Sequence, residues 1–92
     1  MDPTIRINER VDVVSIYYAG ASERLLCKPW KMRFRSEDIV FTQLAMRHPT
    51  VQGRRMIHVF DVTDGINDYR LEHDAERLTW TLVSMIEGHY DN

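Results

Sequence analysis

Ninety-two residues, 43% of them apolar and 28% charged, describe one small globular domain with enough chain for a single hydrophobic core. No apolar run approaches the roughly 18 residues that span a bilayer, and the opening MDPTIRINER has no apolar centre to act as a signal peptide. The net charge of −2 excludes a general polyanion binder, and the single cysteine, Cys27, excludes an internal disulfide and suits a reducing cytosol.

Charge is unevenly spread. Residues 1–60 hold ten Lys/Arg and six Asp/Glu, whereas residues 61–92 hold two Arg and eight acids. Basic and acidic strands lying side by side would neutralise each other; segregation would instead give the molecule a basic face and an acidic face.

Residues 1–10 read as a flexible N-terminus, with only weak alternation at Ile5 and Ile7, and residues 11–88 as a single β domain. Residues 11–18, VDVVSIYY, are β-branched and aromatic and favour a strand over a helix, and Gly20-Ala21-Ser22 breaks the segment. In 28–35, KPWKMRFR, Trp30, Met32 and Phe34 alternate with Lys31, Arg33 and Arg35, the pattern of a half-buried strand. Ser36-Glu37-Asp38 is the expected turn and 39–47 the returning strand.

His48-Pro49 ends that strand, because proline has no N–H for the ladder, and Thr50 to Gly53 form a loop. Residues 55–62 are the next strand. Asp64-Gly65 with Asn67-Asp68 is a turn, 69–73 a short strand, 74–77 a turn, and 78–86 the last strand. Turns this frequent predict a mainly β fold: a small antiparallel β-barrel or strongly bent meander, SH3-like or OB-like, with 11–18 pairing near the end of the series. One short helix fits in 19–27 or at the C-terminus.

Matching apolar faces across the turns predicts a register. It pairs Phe34 with Val40, Met46 with Met56, Val62 with Tyr69, Phe60 with Leu71, His58 with His73, and Leu71 with Trp80. The resulting core face carries Trp30, Met32, Phe34, Val40, Leu44, Met46, Met56, Phe60, Val62, Tyr69, Leu71, Trp80 and Leu82.

The opposite face carries Ile39, Phe41, Ala45, Ile57 and Val59, too apolar for open solvent, so it requires a cover: the N-terminal segment, a helix or another molecule. Lys31, Arg33, Arg35, Phe41, Gln43, Arg55, Ile57 and Val59 are therefore the candidate binding face. Its apolar residues suit a homodimer contact. Its cations and rings suit single-stranded nucleic acid, with phosphates on the cations and bases on the rings. The acidic second half tilts the choice toward the dimer.

No chemistry-bearing motif accompanies this face. His58 and His73 are the one cross-strand pair that could begin a metal site or a small-ligand pocket in the barrel, but Cys27, His48 and Asp61 lack ligand spacing, so no metal or cofactor is expected. Asp61, Asp64, Asn67 and Asp68 lack the alternation and distal Glu of a calcium loop and read as an Asx-bonded turn. Cys27 lies between Arg24 and Lys28 but has no sequence-adjacent histidine and reads as inert. No nucleophilic triad, phosphate loop or carboxylate pair is present, so the reading is a non-enzymatic binding or interaction module.

The basic-aromatic hairpin Trp30 to Phe41, His48-Pro49, His58-Val59-Phe60, Tyr69-Arg70-Leu71 with Asp74, and Leu78-Thr79-Trp80-Thr81-Leu82 together resemble a group of short, uncharacterised bacterial proteins over residues 28–86. The resemblance implies a small β domain and carries no activity. Ser36-Glu37-Asp38 stands where that group would have a basic glycine turn.

Overall fold

The computed structural model describes residues 4–19, 27–52 and 55–88, with the backbone alone for 45–52 and 55. These form seven strands: β1 (Thr4–Tyr17), β2 (Cys27–Phe34), β3 (Glu37–Val40), β4 (Gln43–Gln52), β5 (Arg55–Thr63), β6 (Asp68–Asp74) and β7 (Thr79–Ile86). All pairings are antiparallel, in the order β3-β2-β1-β7-β6-β5-β4, and the sheet curls strongly into a half-barrel. The described residues contain no helix, and hence no helix long and apolar enough to cross a membrane. Of the segments expected to hold a short helix, 19–27 and the C-terminus, residues 20–26 and 89–92 lie outside the described residues.

The curl originates in β1. Its first part pairs with β7 through Val11↔Trp80, and from Asp12↔Arg33 onward it pairs with β2. A strand that changes partner midway must bend, and irregularities at Arg6/Glu9 and Val14/Ser15 supply the bend. Asn8, at φ 54°, takes the left-handed conformation there, which asparagine tolerates better than most residues. Residues 4–10, expected outside the domain, are thus an integral part of its sheet, because pairing with β7 satisfies their backbone.

The β2–β3 hairpin turns on Arg35 and Ser36, both at positive φ (50° and 70°), as a two-residue hairpin turn demands. Phe34 therefore meets Glu37, and Met32 meets Ile39, in place of the expected Phe34–Val40 pairing. A slip by an odd number of residues exchanges the two faces of the returning strand. Ile39 and Phe41 consequently face the core, and Val40 faces out, half exposed.

Residues 39–47 are two strands and not one. The Phe41 N–H donates to the Trp30 carbonyl at 2.8 Å, and the next N–H, of Thr42, donates to the Thr63 carbonyl at 2.8 Å. Consecutive amides thus bond to β2 and to β5, near opposite ends of the strand order, and draw the two edges of the sheet together at this corner. β4 then runs through His48-Pro49 to Gln52, with Met56 opposite Val51 and not Met46. Proline does not stop it because β4 is an edge strand, where one N–H is not required by a neighbour. Of the expected loop, Thr50 to Gln52 belong to β4, and Gly53 lies outside the described residues.

The β5–β6 register is the expected one, with His58↔His73, Phe60↔Leu71 and Val62↔Tyr69. The β6–β7 register moves: Leu71 meets Leu82 and His73 meets Trp80, because the turn takes in Leu78 and β7 begins at Thr79. The core consists of Val11, Met32, Phe41, Phe60, Val62, Tyr69, Leu71, Trp80 and Leu82, with Phe34 and Leu44 packed partly against it. Phe60 and Trp80 pack with tilted rings 5.4 Å between centroids, and Phe41 and Tyr69 likewise at 5.9 Å. Trp30, Val40 and Met56, expected inside, are each about half exposed.

Candidate interaction face

Cross-strand partners share a face of the sheet. On the outer side of β1–β2–β3, Asp12, Arg33 and Asp38 therefore form one row; Val14, Lys31 and Val40 the next; and Ile16 and Lys28 a third. Trp30 joins them through a bulge. Val14 pairs with Lys31 and Ser15 with Pro29, which leaves Trp30 unopposed on β1 and turned outward while Pro29 and Met32 stay buried. Val14, Ile16, Trp30 and Val40 retain 46%, 42%, 45% and 47% of their surface, side by side.

The cations of this face differ in availability. Arg33 donates from Nε and Nη2 to both oxygens of Asp38, at 2.9 and 3.2 Å, and this hydrogen bond holds the Asp38 carboxyl below its ordinary range. Arg35 donates to Glu9 at 2.6 Å and lies over the Phe34 ring at 4.7 Å. The Lys31 ammonium stands 5.7 Å from the centroid of the Trp30 ring. Lys28 sits one row further on, opposite Ile16. Tyr17 ends β1 opposite Cys27, on the other side of the sheet from Lys28, and Tyr18 follows it; they are 64% and 43% exposed.

The remaining members of the sequence-derived face fall elsewhere. Phe41 is 4% exposed inside the core, and Ile57 and Val59, on the face of β5 opposite Phe60 and Val62, are 4% and 5% exposed within the single chain. Gln43 is exposed at the start of β4, and the Arg55 side chain lies outside the described residues. The structure thus brings Lys31 and Arg33 together on one face with Arg35 at its hairpin end, and separates them from the apolar residues proposed to accompany them. Val14, Ile16, Trp30 and Lys28 were missed. The alternation in VDVVSIYY held the signal, but its phase becomes readable only once β1 is known to pair with β2.

Two other constellations were weighed. His58 and His73 face each other with ring centroids 6.5 Å apart, and His73 stacks on Trp80 at 4.4 Å. Burial lowers the His73 pKa, helped by His58 and opposed by Asp74. Among the described residues no group of three or more His, Cys, Asp or Glu side chains converges as a metal site would require. At the β5–β6 turn, one oxygen of Asp64 accepts the N–H groups of Ile66 and Asn67 at 2.8 and 2.7 Å, and the other accepts the Tyr69 hydroxyl at 3.0 Å. This is the Asx-bonded turn that the sequence implied. A cleft of about 380 Å³ along β5–β6–β7 is lined by polar Asp61, Asp68 and Arg70 and by apolar Val62, Tyr69 and Met85, with Arg70 clamped by Asp61 through two hydrogen bonds.

No family model, curated protein or solved structure matches this chain.

Proposed function

We propose that the chain is a non-enzymatic binding module that holds its partner on the outer face of β1–β2–β3. The observation that carries this reading is the run of half-exposed apolar side chains, Val14, Ile16, Trp30 and Val40, around Lys31. Single exposed apolar residues are ordinary on a protein surface, whereas adjoining ones rimmed by polar groups mark a contact site. The rim here is Asp12, Arg33 and Asp38 on one side and Lys28 on the other.

Backbone amide NMR tests the reading with three probes: an oligothymidine, a glutamate-rich peptide and concentration of the protein itself. Shift changes with any of them are expected to cluster at Val14, Ile16, Lys31 and Val40. Changes centred on the Asp61–Arg70 cleft or the His58–His73 pair, or no change with all three, would refute it.

A further inference from the structure

We infer that the occupant of this face is single-stranded nucleic acid, an inference that rests on the proposed binding role of β1–β2–β3. Three observations choose among occupants. First, β2 is the middle strand of the face and carries Lys28, Lys31 and Arg33 outward. Two copies packed face to face about a two-fold axis would lay β2 on β2 and oppose these cations. A second copy is therefore disfavoured and an anionic partner favoured.

Second, charge along the face is polar. The acids Asp12 and Asp38 occupy one end, where they enclose Arg33. Beyond that row, among the described residues, the outer positions carry Lys31 and Lys28 and no acid. Lys28 and Lys31, the latter within electrostatic reach of Asp38, are the cations this end offers to phosphates.

Third, an exposed ring sits among these lysines. The bulge turns Trp30 outward beside the Lys31 ammonium, and Lys28 lies two residues before it on the same strand. Bulges re-aim side chains in this way. A flat ring between lysines accepts a stacked base and its flanking phosphates together, and a single strand, whose bases are free to unstack, is the form of nucleic acid that uses both.

Fluorescence anisotropy of a labelled oligothymidine tests the inference. Wild type is expected to bind at low salt and to weaken as salt rises, with a slope of about −0.7 per phosphate neutralised. Trp30→Ala should weaken binding on the order of tenfold. Lys28→Ala and Lys31→Ala should each lower the slope. Circular dichroism confirms that these surface variants stay folded. Absence of binding at low salt, or equal binding by wild type and Trp30→Ala, would overturn the inference. So would preference for the glutamate-rich peptide on the same residues, an outcome that leaves the binding face itself intact and so separates the two claims.

Discussion

Arg33 holds Asp38 across the β2–β3 hairpin with two near-parallel hydrogen bonds, 2.9 and 3.2 Å long. The pair matches the register in which Arg33 sits opposite Asp38, and it converts the middle of an apparent basic stripe into a neutral clamp. Because both groups are exposed, its contribution to stability is small and its electrostatic effect on the face is the larger consequence.

Removing the acid should therefore strengthen anion binding. Asp38→Ala releases Arg33 beside Lys31, so oligothymidine should bind more tightly and with a steeper salt dependence than to wild type. The folded state should stay nearly as stable. Anisotropy and denaturation measure the two effects, and unchanged affinity would show that Arg33 lies outside the contact.

The two tryptophans should behave oppositely. Trp80 packs against Phe60 and stacks on His73 in the core, so Trp80→Ala, like Phe60→Ala, should cost about 3–5 kcal/mol. Trp30 is half exposed on a bulge, so Trp30→Ala should change stability by about 0.5 kcal/mol or less. Urea denaturation distinguishes them, and a loss below about 1 kcal/mol at Trp80 would contradict its place in the core.

Leu78 occupies the left-handed region at φ 56° with three-quarters of its surface exposed. Its backbone is strained and its side chain contributes little packing. Leu78→Gly should raise stability by about 1 kcal/mol, the relief of a left-handed non-glycine residue. A lower thermal midpoint for this variant would show that Leu78 makes contacts that outweigh the strain.

Stability should depend on pH through His73. Its folded pKa lies below the ordinary 6.5, chiefly through burial and secondly through His58, with Asp74 opposing. The unfolded chain then binds more protons than the folded one in the window between the folded pKa and 6.5. Stability is full above 6.5 and falls as pH drops through that window. Denaturation midpoints from neutral to mildly acidic pH should decline for wild type and flatten for His73→Phe. A flat wild-type profile would contradict the burial of a neutral imidazole.

At the β5–β6 turn, Tyr69→Phe should cost about 1–2 kcal/mol, because it removes the hydrogen bond donated to the Asp64 carboxylate and the one accepted from Asn67 Nδ2. Asp64→Ala, which also frees the Ile66 and Asn67 N–H groups, should cost more. Equal stabilities by denaturation would show that solvent replaces these bonds without loss.

Where turn chemistry was explicit, the sequence could be read. Asp64-Gly65 and Asn67-Asp68 marked the β5–β6 hairpin, and the His58–His73, Phe60–Leu71 and Val62–Tyr69 pairs followed from apolar matching. The β2–β3 hairpin was opaque, because Arg35-Ser36 adopts a two-residue turn without the Asn or Gly that usually signals it. That slip reversed Ile39, Val40 and Phe41 and placed the binding face on the wrong apolar partners. Trp30 looked like a core residue because alternation holds only in an unbulged strand. Pro49 looked like a terminator because edge position is a property of the sheet and not of the local sequence.

The central claim is that bases stack on Trp30 beside Lys31, and photocrosslinking tests it most directly. A bromouridine-containing single strand would be irradiated with the full chain, and the modified residues mapped by mass spectrometry. The account predicts a crosslink at Trp30, lost when unlabelled oligonucleotide competes. Crosslinks confined to other residues, or none above the level of a non-binding control protein, would contradict it.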